Sequence, residues 1–129
     1  MNEGYLLLED SFKDYKLKVQ IEDGETVWYS NGVAIMYGGI NLSDCYQVAV
    51  AEFDGVNNNI LVAGLGHGNT SEIACQFGKV TTVEILETVL DLYEARVSDY
   101  EHSVVIDDFY DFIDDTKETY NGILCLASK

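Results

Sequence analysis

Four consecutive apolar residues, Ile60-Leu61-Val62-Ala63, run directly into Gly64-Leu65-Gly66-His67-Gly68. An uninterrupted apolar run has no solvent face, so it reads as a parallel strand buried on both sides. Helices laid over both faces of a sheet are the arrangement that buries such a strand. The glycines that follow open backbone angles closed to other residues and let a ligand lie against the main chain. Asn69, Thr70 or Ser71 can cap a helix after this bend; Ile73, Ala74 and Phe77 lie along it, and Gly78 can end it.

The same rhythm continues to the C-terminus. Val80-Thr81-Thr82-Val83-Glu84 reads as a second strand, and Leu86, Val89, Leu90 and Tyr93 line one face of a second helix. Ser103-Val104-Val105-Ile106 is a third strand, an acidic stretch around residues 111–119 a short helix, and Ile123-Leu124-Cys125-Leu126 a fourth strand. Strands alternating with helices through short connections imply a parallel sheet with right-handed crossovers. The first fifty residues differ. Tyr15-Lys16-Leu17-Lys18-Val19-Gln20-Ile21 alternates as a half-buried strand does, and Tyr5-Leu6-Leu7-Leu8 is a short apolar run. Asp23-Gly24 marks a turn, and Asn31-Gly32 a hairpin between Trp28-Tyr29 and Val33-Ala34-Ile35-Met36-Tyr37. Residues 43–53 carry Ser43 or Asp44 as a cap and Tyr46, Val50 and Phe53 on one face, which suits a connecting helix. The expected fold is α/β: a Rossmann-like, truncated parallel sheet of about four strands with helices on both faces, preceded by a small antiparallel β region. The expected division is 1–53 and 54–129. An apolar fourth strand at a sheet edge invites pairing, so a homo-oligomer through that edge or through the N-terminal β region is expected.

Seven Lys and Arg against 23 Asp and Glu give a formal net charge of −16. That balance repels a phosphate backbone, so no nucleic-acid partner is expected. It suits a cationic small molecule, such as a sulfonium or a polyamine, or an acidic surface that imitates DNA. Cys45, Cys75 and Cys125 sit in apolar segments without a CxxC pair, which reads as buried reduced thiols in a cytoplasmic protein. No metal is expected. Zinc would need His67 or His102 to join widely spaced cysteines, and the acids at 107, 108, 111, 114 and 115 would mostly diverge. The opening MNEGYLLLED has no basic stretch before an apolar run, so neither a leader nor a membrane span is expected.

Three features converge on one site. The glycine bend leaves a buried strand. Glu84 ends the next strand, twenty residues beyond Gly64, where an acid accepts hydrogen bonds from two ribose hydroxyls. Asp107-Asp108 ends the third strand, where an acid can accept from an adenine amino group. All three lie at carboxyl ends of parallel strands, the usual ligand crevice of such sheets. Position 69 is Asn where a dinucleotide-binding bend has a third glycine, which favours S-adenosylmethionine over NAD. His67 could serve as a general acid or base, or be only a solvated loop histidine.

The stretch ILVAGLGHGNTSEIACQFGKVTTVEILETVLDLYEARV, with SVVIDDFYDFIDDTKETYNGILCLAS after it, resembles the core of the spermidine synthases, within the class I methyltransferase-like fold. The resemblance covers residues 57–128. It implies that Gly64, Gly66 and Gly68 form the S-adenosyl loop, with His67 among them. It implies further that Glu84 holds the ribose, Ile85 packs on the adenine, and Asp108 takes the adenine amino group beside Phe109. Tyr46-Gln47 stands where the family has Tyr-His on the substrate side. Two departures accompany these matches. His67 replaces an aspartate that helps hold the charged amine end of the ligands. Ala127-Ser128 stand where the family carries the aspartate that takes a proton from the attacking amine. The adenosine half of the site is retained and the acceptor half is not; as catalytic residues only His67 and Asp108 stand as candidates. The implied function is binding of S-adenosylmethionine, its decarboxylated form or methylthioadenosine. The implied chemistry is that of a reduced spermidine-synthase-like transferase or an enzyme that cleaves the sulfonium. A conventional methyltransferase ranks below these. The alternative is a non-catalytic acidic binding protein that sequesters the metabolite, pairs with a full-length enzyme or mimics DNA.

Overall fold

The computed structural model of the chain describes residues 4–37 and 55–125. The chain divides into two compact units, Met1–Ser43 and Asp44–Lys129. The helix expected over 43–53, with Tyr46 and Gln47, lies outside the described residues.

The first unit is an antiparallel meander of β1 (Tyr5–Phe12), β2 (Tyr15–Glu22), β3 (Glu25–Ser30) and β4 (Val33–Tyr37). Asp23-Gly24 (φ 53° and 78°) and Asn31-Gly32 (φ 50° and 84°) both take the paired positive φ angles that match the twist of a two-residue hairpin. The connection from β1 to β2, Lys13-Asp14, has no glycine, yet Lys13 takes φ 53°. That turn carries no sequence signature, and β1 extends well past the apolar run at its start. Leu8 pairs with Val19 and Val19 with Trp28, so the alternation of β2 places Leu8, Leu17, Val19 and Trp28 together on a buried face. On the other face Glu22 accepts hydrogen bonds from the Tyr29 hydroxyl and the Gln20 amide. Those two donors, Tyr29 first, hold its carboxyl below the usual range.

The second unit is Rossmann-like. Its elements are β5 (Asn58–Ala63), α1 (Asn69–Ala74), β6 (Gly78–Glu84), α2 (Glu87–Arg96), β7 (Ser103–Ile106), α3 (Phe109–Asp115) and β8 (Gly122–Cys125). All strand pairs are parallel, in the order β7-β6-β5-β8. The chain steps one way from β5 to β6 to β7, then reverses across the sheet to β8. Right-handed crossovers therefore put α1 and α2 on one face and α3 on the other. The burial of β5 follows from this. Ile60 and Val62 face α1, within a cluster with Ala74, Val80 and Leu124. Leu61 and Ala63 point the opposite way and are equally buried. At the outer strands, Ile106 on β7 and Ile123 on β8 are exposed. At the entry end of the sheet, Asn121 joins β5 to β8: its Oδ1 accepts from Asn59 N (2.6 Å) and its Nδ2 donates to Asn58 Oδ1 (2.6 Å).

Local boundaries depart from the sequence expectations in three places. No side chain caps α1; Gly68 occupies the cap position, and Asn69, Thr70 and Ser71 lie inside the helix. Gly78 does not end that helix but opens β6, and the acidic helix α3 begins at Phe109 rather than near residue 111 because Asp108 caps it. Gly78 has a steric reason to be glycine. Its φ is 154°, and a Cβ there would stand 2.0 Å from the carbonyl oxygen of Asn58, its partner across the ladder. Gly78→Ala should therefore lower stability by about 1–3 kcal/mol through forced displacement of β5. Thermal unfolding followed by circular dichroism checks this, and an unchanged melting temperature would contradict the packing described.

Candidate functional site

The strand order reverses between β5 and β8, and the glycine bend leaves β5 at that switch. Gly64, Gly66 and Gly68 take φ of 97°, 53° and 89°, values that a side chain would oppose. Gly64 N donates to Val83 O (2.8 Å), extending the ladder by one residue, and Gly68 N donates to Leu65 O (2.8 Å), closing the turn. Leu65 between them is fully buried. Burying that side chain is worth about 2 kcal/mol, which pins the bend to the core. Gly68 answers to packing too: a Cβ there would lie 2.2 Å from Cε1 of Tyr93 on α2.

Glu84, the last residue of β6, turns its carboxylate into this bend. Oε1 accepts from Leu65 N (2.8 Å) and Oε2 from Leu86 N (3.1 Å). The residue is only 7% exposed. Burial pushes its pKa up, against the pull of the Leu65, Leu86, Ile85 and Gly66 N–H groups. The carboxylate is thus held by two main-chain donors, one on each oxygen. Ile85 follows it, half-buried.

The end of β7 lies alongside, with Asp107 N donating to Glu84 O (3.1 Å). Asp108, expected to accept from an adenine amino group, has an occupation of its own. Its Oδ1 accepts from Tyr110 N (2.9 Å) and Asp111 N (3.4 Å), capping α3. Phe109 is half-buried at the first position of that helix. The ladder and the bend thus bring Gly64 to Gly68, Glu84, Ile85 and Asp107-Asp108 to one end of the sheet. Tyr46, Gln47, Ala127 and Ser128 lie outside the described residues.

His67 departs from what its residue type suggests. Burial, with Arg96 adding to it, lowers its pKa to about 4. Arg96 Nη2 donates to the His67 carbonyl at 2.6 Å, which explains the proximity. At neutral pH the imidazole is uncharged. So low a value makes it a weak base, and it offers neither a positive nor a negative charge to a ligand.

The structure also joins residues that sequence reading left apart. Ser71 Oγ lies 2.7 Å from Thr82 Oγ1, which lies 3.5 Å from His102 Nδ1; His102 Nε2 lies 3.0 Å from the Tyr93 hydroxyl, which donates to Glu72 Oε2 (2.8 Å). The available signals were a pair of threonines inside a buried strand and a tyrosine on an apolar helix stripe, whose polar ends require partners. Among the described residues no three His, Cys, Asp or Glu side chains come together as a metal site, and no helix is long and apolar enough to cross a membrane.

Glu84 and His67 should pull the pH dependence of stability in opposite directions. A raised carboxyl pKa favours the folded state below its unfolded value of 4.5, and this contribution is lost as the pH rises through the folded value. The lowered imidazole pKa contributes stability above 6.5 that is lost as the pH falls toward about 4. In urea unfolding at several pH values, the stability of the wild type relative to Glu84→Gln should fall with rising pH, and relative to His67→Asn it should rise. The same slope for both pairs would refute the placements given.

No protein-family model matches the sequence, and no curated protein matches it. Solved structures do. Fibrillarin of Aeropyrum pernix, in complex with natively bound S-adenosyl-L-methionine, superposes with a TM-score of 0.53 at 16% identity, covering 100% of this chain and 68% of its own. The tRNA m1G37 methyltransferase of M. jannaschii gives 0.53 at 15% identity, over 92% of this chain and 36% of its own. A Pyrococcus horikoshii structure gives 0.53 at 19% identity, over 83% and 41%. The chain thus spans well under half the length of two of these three. At such identities the likeness is one of fold: this chain shares the Rossmann-like architecture of S-adenosylmethionine-dependent methyltransferases.

Proposed function

We propose that the C-terminal unit binds an adenosyl sulfonium, S-adenosylmethionine or its decarboxylated form, and uses it as the donor in a transferase-type or cleavage reaction. The observation that carries this reading is the Glu84 carboxylate lodged in the glycine bend at the switch of the sheet. The ribose hydroxyls would donate to lone pairs of the same carboxylate beside those engaged by the Leu65 and Leu86 N–H groups. The adenine would lie between Ile85 and the end of β7. The bound S-adenosyl-L-methionine of the structurally similar fibrillarin supports the choice of ligand.

A sulfonium is an activated leaving group. Attack at a carbon attached to sulfur breaks the C–S bond, its electron pair passes to sulfur, and a neutral thioether leaves. Such chemistry needs orientation more than acid catalysis. Neutral His67 bears on the acceptor. Where the spermidine synthases carry an aspartate to hold an ammonium, this chain offers an uncharged imidazole. That favours an uncharged acceptor, or the ligand's own nucleophile, over a polyamine.

Isothermal titration with S-adenosylmethionine, decarboxylated S-adenosylmethionine and methylthioadenosine tests the proposal. At least one should bind, and Glu84→Ala should weaken it by roughly 10–100-fold, since a hydrogen bond to a charged group is worth about 1.5–3 kcal/mol. No heat from any of the three at millimolar concentration would end this reading. The net charge of −16 keeps a second reading in play, an acidic interaction protein. In that case capture of a partner would survive Glu84→Ala.

A further inference from the structure

We propose that Tyr93 is a positioning residue for the glycine bend, and that the buried chain Ser71–Thr82–His102–Tyr93–Glu72 makes the exit of the bend follow the protonation of His102. The functional consequence rests on the adenosyl-binding reading; the structural coupling does not.

Two contacts of one side chain carry the proposal. The ring of Tyr93 lies so close to Gly68 that an added Cβ would meet Cε1, Cδ1 and Cζ at 2.2, 2.7 and 2.9 Å. Gly68 both ends the bend and begins α1, its carbonyl accepting the first helical bond from Glu72 N (3.0 Å). The hydroxyl of the same tyrosine is tied at once to Glu72 on α1 (2.8 Å) and to His102 just before β7 (3.0 Å). A displacement of Tyr93 is therefore transmitted to the bend through the ring and to the first turn of α1 through the hydroxyl.

The hydrogen bonds of the chain have a direction. Tyr93 has one hydroxyl proton and gives it to Glu72, so its oxygen accepts from His102 Nε2–H. In the neutral imidazole Nδ1 is then the acceptor and faces Thr82 Oγ1, itself bonded to Ser71. A proton on Nδ1 would reverse that half of the chain: Thr82 Oγ1 would have to accept from the ring and donate to Ser71. It would also place a full charge on a side chain only 5% exposed.

The groups facing the ring are few. From α1 come Ser71 and the Glu72 carboxylate, with Cys75 at the helix end. From β6 comes Thr82. From α2 comes Tyr93. From the connection before β7 come Tyr100, its ring 4.9 Å away, and Glu101, whose charge acts on Cys75. Glu72 is the acid that raises the pKa of His102, and the Ser103 backbone adds to it, yet burial outweighs both and lowers the value. The neutral, ordered chain is thus the state at neutral pH, and acidification disrupts it. The cationic ring would be drawn toward Glu72, in competition with the Tyr93 hydroxyl.

Amide and imidazole NMR of the ligand-free protein, titrated downward from pH 8, tests the coupling. A component of the Gly68 amide shift should share the midpoint of the His102 ring proton. His102→Gln should abolish that component. Tyr93→Phe, which keeps the ring but removes the hydroxyl, should reduce it. At pH 7 both variants should exchange the Gly68 and Glu72 amides at least tenfold faster than wild type, with the Val62 amide unchanged. A Gly68 amide that ignores His102, or exchange rates equal to wild type in both variants, would overturn the proposal. Methylthioadenosine, which carries no sulfonium charge, supplies the functional arm: its affinity should fall on acidification at least threefold more in wild type than in His102→Gln. Absence of binding at any pH would refute the adenosyl reading and leave the glycine titration to decide the coupling.

Discussion

The contact between the Glu84 carboxylate and the Leu65 amide organises this end of the protein. A bend that rises from a buried strand exposes main-chain N–H groups with no partner in the sheet, and a neighbouring strand that ends in an acid answers them. The carboxylate is itself expensive to bury, as its upward shift shows, so each side of the contact needs the other. Removing the acid leaves donors without acceptors. Filling the bend with side chains leaves the acid without donors. Such mutual dependence preserves the unusual backbone of the bend.

The surroundings keep that contact in register. Leu65 descends into the core directly beneath the bend. On the far side, Gly68 meets the ring of Tyr93, whose hydroxyl reaches both α1 and the residue before β7. The bend is therefore fixed at its start by the sheet ladder, at its middle by an apolar plug and at its exit by a polar chain. Of these the polar chain depends most on conditions, because it includes a buried imidazole. The exposed Lys79–Glu118 ion pair, by contrast, adds little.

Elements with one dominant local cause were legible in the sequence. The unbroken run at 60–63 identified a strand covered on both faces, Asn31-Gly32 identified a hairpin and Asp23-Gly24 a turn, and the alternation of β and α identified the parallel sheet. The elements that tertiary contacts decide were not legible. Lys13 turns at a positive φ without a glycine because β1 and β2 already pair in register. Gly78 has the look of a helix end and opens a strand, because the Asn58 carbonyl leaves no room for a side chain. In the site, Glu84 lies at the bend where spacing places it. Asp108 has a second role that spacing does not reveal, since its Oδ1 caps the helix that follows. The Ser71–Thr82–His102–Tyr93–Glu72 chain was out of reach of any motif: its members come from three elements and the connection before β7, and meet only once the sheet has formed.

The exchange of an aspartate-like position for His67 alters more than one charge. An aspartate in that loop would stand near Glu84 and the acids that end β7, in a protein of net charge −16, and would hold a cationic amine at the cost of repelling its neighbours. The imidazole, kept neutral by burial and by Arg96, imposes no such repulsion. Arg96 reaches the loop through the His67 carbonyl, bringing a positive charge to the bend. A positive group there opposes a neighbouring cation and tolerates a neighbouring anion. The charge at the exit of the bend is therefore that of Arg96, and a cationic group placed beside it would be repelled rather than held.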